Sequence, residues 1–177
     1  MAGSESILQA RLQRLAKDIE ALAEKDETTI RQAREIGELR RRAGQELYLV
    51  CARFVDAVNG LLQSPELTLD PPEFPPDAFQ EDTPNLIQIN VRGRILQIEF
   101  ETTPELISTE DFRIPYILSG AVRAFNQALL DKDLIEEQLL FYTVEKQRTL
   151  WRFFDARTYR SGEFDQEYLI LLMEQLV

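Results

Sequence analysis

Glu99 and Glu101 stand two residues apart in a stretch that reads as a β-strand, so both carboxylates project from one face. With a third acid they could hold a divalent cation or share acid/base work. Alternating acids on the wet face of a hairpin are ordinarily solvated, and charge there discourages strand-to-strand association, so no metal site is expected. A second cluster, Arg152, Asp155, Arg157, Tyr159, Arg160 and Ser161, gathers just before the last expected helix. Free backbone amides and the positive dipole end there favour an anion, and Arg157 and Arg160 are the residues that would hold it. The competing reading pairs both arginines with acids of the same surface. Asp131-Lys132-Asp133 with Glu136 and Glu137 has the composition of a calcium loop but lacks its central glycine and ligand spacing, and is better read as helix capping.

The remaining reactive types narrow the chemistry further. Histidine is absent, which removes the usual general base near neutral pH and the commonest transition-metal ligand. The single cysteine, Cys51, lies one helical turn past Leu47 on an apolar face and is expected to be buried structure. Arg40-Arg41-Arg42 is flanked by Glu35, Glu38 and Glu46 and reads as a solvated helix face. There is no glycine-rich phosphate loop, nucleophile elbow or zinc spacing. The expectation is therefore no catalytic residue, no cofactor and no metal, and an enzyme is the less favoured class.

Charge and length set the outer bounds. The chain has 177 residues, 44% of them hydrophobic, enough for one domain of ordinary core size and an appendage. Its net charge of −11 is uneven, since residues 1–62 hold ten basic and ten acidic side chains and leave the whole imbalance to 63–177. An acidic body argues against nucleic acid, whose phosphates need clustered cations. No apolar run is long enough to span a bilayer and the first residues lack a signal-peptide core, so a cytoplasmic protein with no membrane span is expected.

The elements that must carry these residues begin with a helical front end whose apolar stripe changes period. Leu8, Leu12, Leu15, Ile19 and Leu22 recur at steps of four and three, a heptad seam that two helices bury between them. Asp26 and Thr29 then fall on that seam, and the polar run 24–29 marks a bend or stutter. From Ile36 the stripe resumes as Leu39, Ala43, Leu47, Val50, Phe54, Val58 and Leu61, an eleven-residue repeat that keeps one face aligned against a flat partner. Gly37 and Gly44 lie near one line with Ala33 and Cys51, which either lets another backbone approach closely or reflects glycines tolerated in a solvated helix. Residues 1–27 thus read as an oligomerisation or docking helix and 28–62 as a helix packing on a sheet.

Residues 63–84 carry six of the eight prolines, with six acids and no base, and read as a linker in which Phe74 and Phe79 pin an extended crossing to the body. Residues 85–177 form that body. Ile87, Ile89 and Val91 alternate with polar residues, Gly93 permits a turn, and Leu96, Ile98 and Phe100 return on the same face, a hairpin with one wet side. The apolar positions of 114–131, opened by Pro115, suit a helix. Gln138–Glu145 and Arg148–Ala156 give a second hairpin around Lys146-Gln147, 157–162 a turn, and Phe164–Val177 a closing helix capped by Asp165 or Ser161.

The expected fold class is α+β: a long N-terminal helical segment, two antiparallel hairpins in one sheet, an inserted helix and a C-terminal helix. From about residue 30 this order of elements resembles that of the small acidic dimeric secretion chaperones, from which the chain departs by its N-terminal heptad segment and its long proline-rich crossing; a likeness of element order does not by itself carry function. The expected function is a non-enzymatic protein-binding or assembly protein, chaperone- or adaptor-like, with a protein partner and self-association through Leu8, Leu12, Leu15, Ile19 and Leu22. The alternative is a small-molecule-binding domain or unrecognised enzyme with a pocket between the sheet and the C-terminal helix.

Overall fold

A computed structural model describes residues 2–109, 112–126, 133–146 and 148–177. The front end is one uninterrupted helix, α1 (Ala2–Leu61). The polar run read as a bend stays helical because Thr28 and Thr29 turn their hydroxyls back onto the carbonyls of Glu24 and Lys25, both at 3.0 Å, which satisfies them without leaving the helix. The chain divides into two compact units, 1–39 and 40–177. The first is helix alone, and its residues 3–27 are exposed throughout.

The second unit is built on seven antiparallel strands that neighbour one another in chain order: β1 (Leu67–Asp70), β2 (Asn85–Val91), β3 (Arg94–Ile107), β4 (Tyr116–Asn126), β5 (Asp133–Val144), β6 (Thr149–Asp155) and β7 (Arg160–Glu163). A short helix, α2 (Gln166–Glu174), closes it. The α+β class holds, with a seven-stranded meander in place of two hairpins. The β2–β3 turn uses two residues in the left-handed region, Arg92 at φ 51° and Gly93 at φ 85°, the conformation that matches strand twist, and Asn90 Oδ1 accepts from the Gly93 amide at 2.9 Å.

The helix expected over 114–131 is a correction. Residues 116–126 form β4, the central strand, while 127–131 lie outside the described residues, as do Lys132 and Gln147. Pairing puts Leu118, Gly120, Val122 and Ala124 on one face and Ser119, Ala121 and Arg123 on the other. A central strand with apolar residues on both faces has apolar spacing that also fits a helix, and neighbouring strands decide between them. Gly120 is the residue that betrays the strand: a Cβ there would strike the Glu99 carbonyl and come within 2.9 Å of Phe100 Cα, so its backbone lies against β3. The inserted helix was part of the element order that resembled the secretion chaperones, and it is absent from 116–126. The turn read over 157–162 likewise ends in β7, an edge strand pairing Asp155 with Arg160.

The core lies between one sheet face and the helices. Ala43, Leu47, Cys51 and Phe54 of α1 are buried, together with Ile87, Ile89, Leu96, Ile98, Phe100, Leu140 and Tyr142 from the sheet. Trp151 Nε1 donates to the Ala43 carbonyl at 2.7 Å, while Phe100 meets the Trp151 ring edge-on at 5.4 Å. Burial pushes the Cys51 thiol well above its usual range. Gly44 is where the proline-rich segment closes in: a Cβ would lie 3.1 Å from Phe79 and 3.3 Å from Phe74, whose ring stacks on Tyr48 at 5.6 Å. Asn59 ties the end of α1 to β1, accepting from the Leu67 amide and donating to the Leu67 carbonyl. Arg40, read from sequence as part of a solvated face, instead caps carbonyls of the sheet, donating to Ile117 at 3.1 Å and to Thr103. Arg41 pairs with Glu81 at 2.8 Å. No helix among the described residues is long and apolar enough to cross a membrane.

Candidate interaction surfaces

The first surface is the heptad seam. A helix turns 3.6 residues per cycle, so steps of four and three keep Leu8, Leu12, Leu15, Ile19 and Leu22 on one side of α1. All five are more than half exposed, at 52–58%. Ile7 and Ile30 are also more than half exposed. Aliphatic side chains at this spacing carry no chemistry. Their capacity is to leave water together.

The second surface is the sheet face opposite α1 and α2. Register assigns Glu99 and Glu101 of β3, Ser119, Ala121 and Arg123 of β4, Leu139 and Phe141 of β5 and Phe154 of β6 to it. The segment between β3 and β4 folds Phe112 over this face, held by a Thr109 amide to Phe112 carbonyl bond of 2.8 Å and its reciprocal to the Thr109 hydroxyl. Phe112 stacks on Phe141 at 4.3 Å, with Tyr116 and Phe154 beside them. These rings floor a cleft of about 530 Å³. Its rim is charged. Arg123 bridges Glu137 (Nε to Oε2, 2.5 Å) and Glu99 (3.1 Å), and the bond to Glu137 holds the guanidinium above its ordinary pKa. Burial raises the Tyr116 phenol above its ordinary range. A cleft with an apolar floor and a few charged groups at the rim can hold a flat apolar ligand or an aromatic side chain of a partner.

Glu99 and Glu101 share this face as the sequence indicates, and Glu99 is engaged by Arg123. Among the described residues no group of three or more histidine, cysteine, aspartate or glutamate side chains converges on a metal position. Arg157 and Arg160 flank the β6–β7 turn. The Arg157 amide and guanidinium both reach Asp155, at 3.0 and 3.6 Å, whereas Arg160 lines a pocket of about 90 Å³ between the sheet and α2 with Gln138, Phe153 and Tyr168. The N-terminus of α2 is occupied by its own cap, since Asp165 accepts from the Tyr168 amide at 2.9 Å and sets a carboxylate at the positive dipole end. Arg152 leaves this group and pairs with Glu145 at 2.9 Å.

Sequence reading missed the cleft because its walls come from four strands and a loop that only the register brings together. One signal was available: Arg123 interrupts an otherwise apolar run, and a cation in a central strand needs acids on the strands beside it. No protein-family model, curated protein or solved structure matches this chain.

Proposed function

We propose that this chain is a non-enzymatic assembly or protein-binding protein, adaptor- or chaperone-like, that self-associates through residues 8–22 and offers the cleft on the sheet face away from the helices to another polypeptide. One observation carries the reading. Five large aliphatic side chains at heptad spacing stand more than half exposed, although the same helix buries Ala43, Leu47, Cys51 and Phe54. Scattered exposed apolar residues are ordinary, but a continuous seam of them is the mark of an interface. An isolated seam of about three heptads is marginal in water, so association is what stabilises it. Replacing Leu12 and Leu15 together with aspartate is expected to convert the oligomer to monomer in light scattering. A wild-type chain that is monomeric at micromolar concentration overturns the reading.

A second reading rests on the cleft: its volume and aromatic floor suit a small apolar ligand. Ligand binding there is expected to be lost on Phe141→Ala without change in oligomeric mass, whereas polypeptide docking is expected to fall with both Phe141→Ala and Arg123→Ala.

A further inference from the structure

On the heptad frame set by the seam, Leu12 and Ile19 occupy one core position and Leu8, Leu15 and Leu22 the other. The positions flanking the seam on one side are Arg11, Asp18 and Lys25, and on the other Gln9, Ala16 and Ala23. All six are exposed. One flank therefore alternates in charge and the other is small and neutral.

Resting on the self-association reading above, we infer that the partner of residues 8–22 is a second copy of the same segment, running antiparallel, with Leu8 layered against Ile19 and Leu12 against Leu15 of the other copy. In a parallel pair each charged flank faces the neutral one, so Arg11 lies beside Ala16 and Asp18 beside Ala23, without electrostatic gain. The parallel pair also sets Asp26 against Asp26 on the seam. Antiparallel helices instead bring like flanks together. Two antiparallel registers give four fully apolar layers, and charge separates them. Layering Leu12 on Leu22 and Leu15 on Ile19 opposes Arg11 to Lys25 and Asp18 to Asp18; it sets Leu8 against Asp26 just as the other register sets Leu22 against Glu5, so the flanking charges decide between them. Layering Leu8 on Ile19 and Leu12 on Leu15 opposes Arg11 to Asp18 twice, once at each end of the two-fold axis. Side chains tilt toward the N-terminus of their own helix, which brings each Arg11 and the facing Asp18 toward the same level. The small flank of Gln9 and Ala16 then lies against itself and lets the backbones approach.

A charge-reversal cycle in the full-length chain tests this by sedimentation equilibrium at low salt, with helicity followed by circular dichroism. Arg11→Asp and Asp18→Arg are each expected to weaken dimerisation by about tenfold, since each turns two attractive pairs into repulsive ones. The double variant is expected to recover the wild-type dissociation constant. The recovery reads the contact between copies, because Arg14 and position 18, four apart on one helix, are left with like charge in the double variant. Single variants that dimerise as well as or better than wild type, or a double variant as weak as the worse single, overturn the antiparallel register and leave self-association standing. A wild-type chain that does not associate overturns both.

Discussion

The two halves of α1 are made from similar residues and meet different fates. Residues 8–22 repeat leucine and isoleucine at heptad steps and stand exposed, while Ala43, Leu47, Cys51 and Phe54 follow at steps of four and three and are buried. The difference lies in what each stripe faces. The C-terminal half includes small residues where another group approaches, Ala43 under the Trp151 indole and Gly44 under two phenylalanine rings. The N-terminal half carries bulky aliphatics at each step from Leu8 to Leu22, suited to a partner with the same projection. Helical periodicity alone marks an apolar face.

The largest effect that would break this contrast is expected from Phe54→Ala. Its side chain is 1% exposed, and truncation is expected to cost about 3–5 kcal/mol, seen as a large fall in melting temperature. A melting temperature unchanged within a degree would remove the buried stripe from the core. Leu15→Ala, the equivalent truncation on the other stripe, is expected to leave the unfolding of the body unchanged and to lower oligomer mass at fixed concentration. Next in size is Gly44→Ala. The added methyl group meets Phe79 and Phe74 within 3.3 Å, so a cost of about 1–3 kcal/mol from overpacking outweighs the gain in helix propensity of about 1 kcal/mol. Stabilisation by that substitution would show that the rings yield.

Alkaline pH sharpens the comparison by a smaller margin. Cys51 and Tyr168 are held neutral by burial, with folded values raised above the ordinary 9.0 and 10.0. A raised acid contributes its full stability below the unfolded value and loses it as pH rises from there through the folded value, because the unfolded chain releases the proton first. Residues 1–39 contain no cysteine or tyrosine. Denaturation above pH 9 is therefore expected to weaken the body with a slope reduced in Cys51→Ala. An unchanged slope would mean that the thiol is not the responsible group. The smallest effect expected is none: phosphate should not raise the melting temperature, although ligand at a hundredfold excess over Kd would stabilise by about 2.7 kcal/mol. A shift that disappears in Arg157→Ala and Arg160→Ala would assign an anion to the β6–β7 turn.

Much of the fold was legible where local pattern and tertiary role agree. Ile87, Ile89 and Val91 alternate because β2 has one buried face, and Gly93 marks the turn because the conformation there needs it. The α2 cap was legible for the same reason, with Asp165 serving its own helix. β4 was not, because burial on both faces erases alternation. β1 and β7 are four residues each, too short to show a period, and exist through pairing with Asp70 opposite Gln88 and Arg160 opposite Asp155. Arg40 was misread since its charge pattern is that of a solvated face, and only the chain fold brings the Ile117 and Thr103 carbonyls to it.

The hydrogen bond from Trp151 to Ala43 makes this molecule its own optical gauge. Trp151 is the single tryptophan, 4% exposed, with its indole nitrogen committed to α1 and its ring against Phe100 and Tyr142. Its emission therefore reports the seating of the second half of α1 on the sheet together with the packing of the strands beneath it. Stopped-flow fluorescence will time the moment at which the helix lands, and a red shift without loss of strand signal will mean that the helix has lifted while the sheet persists.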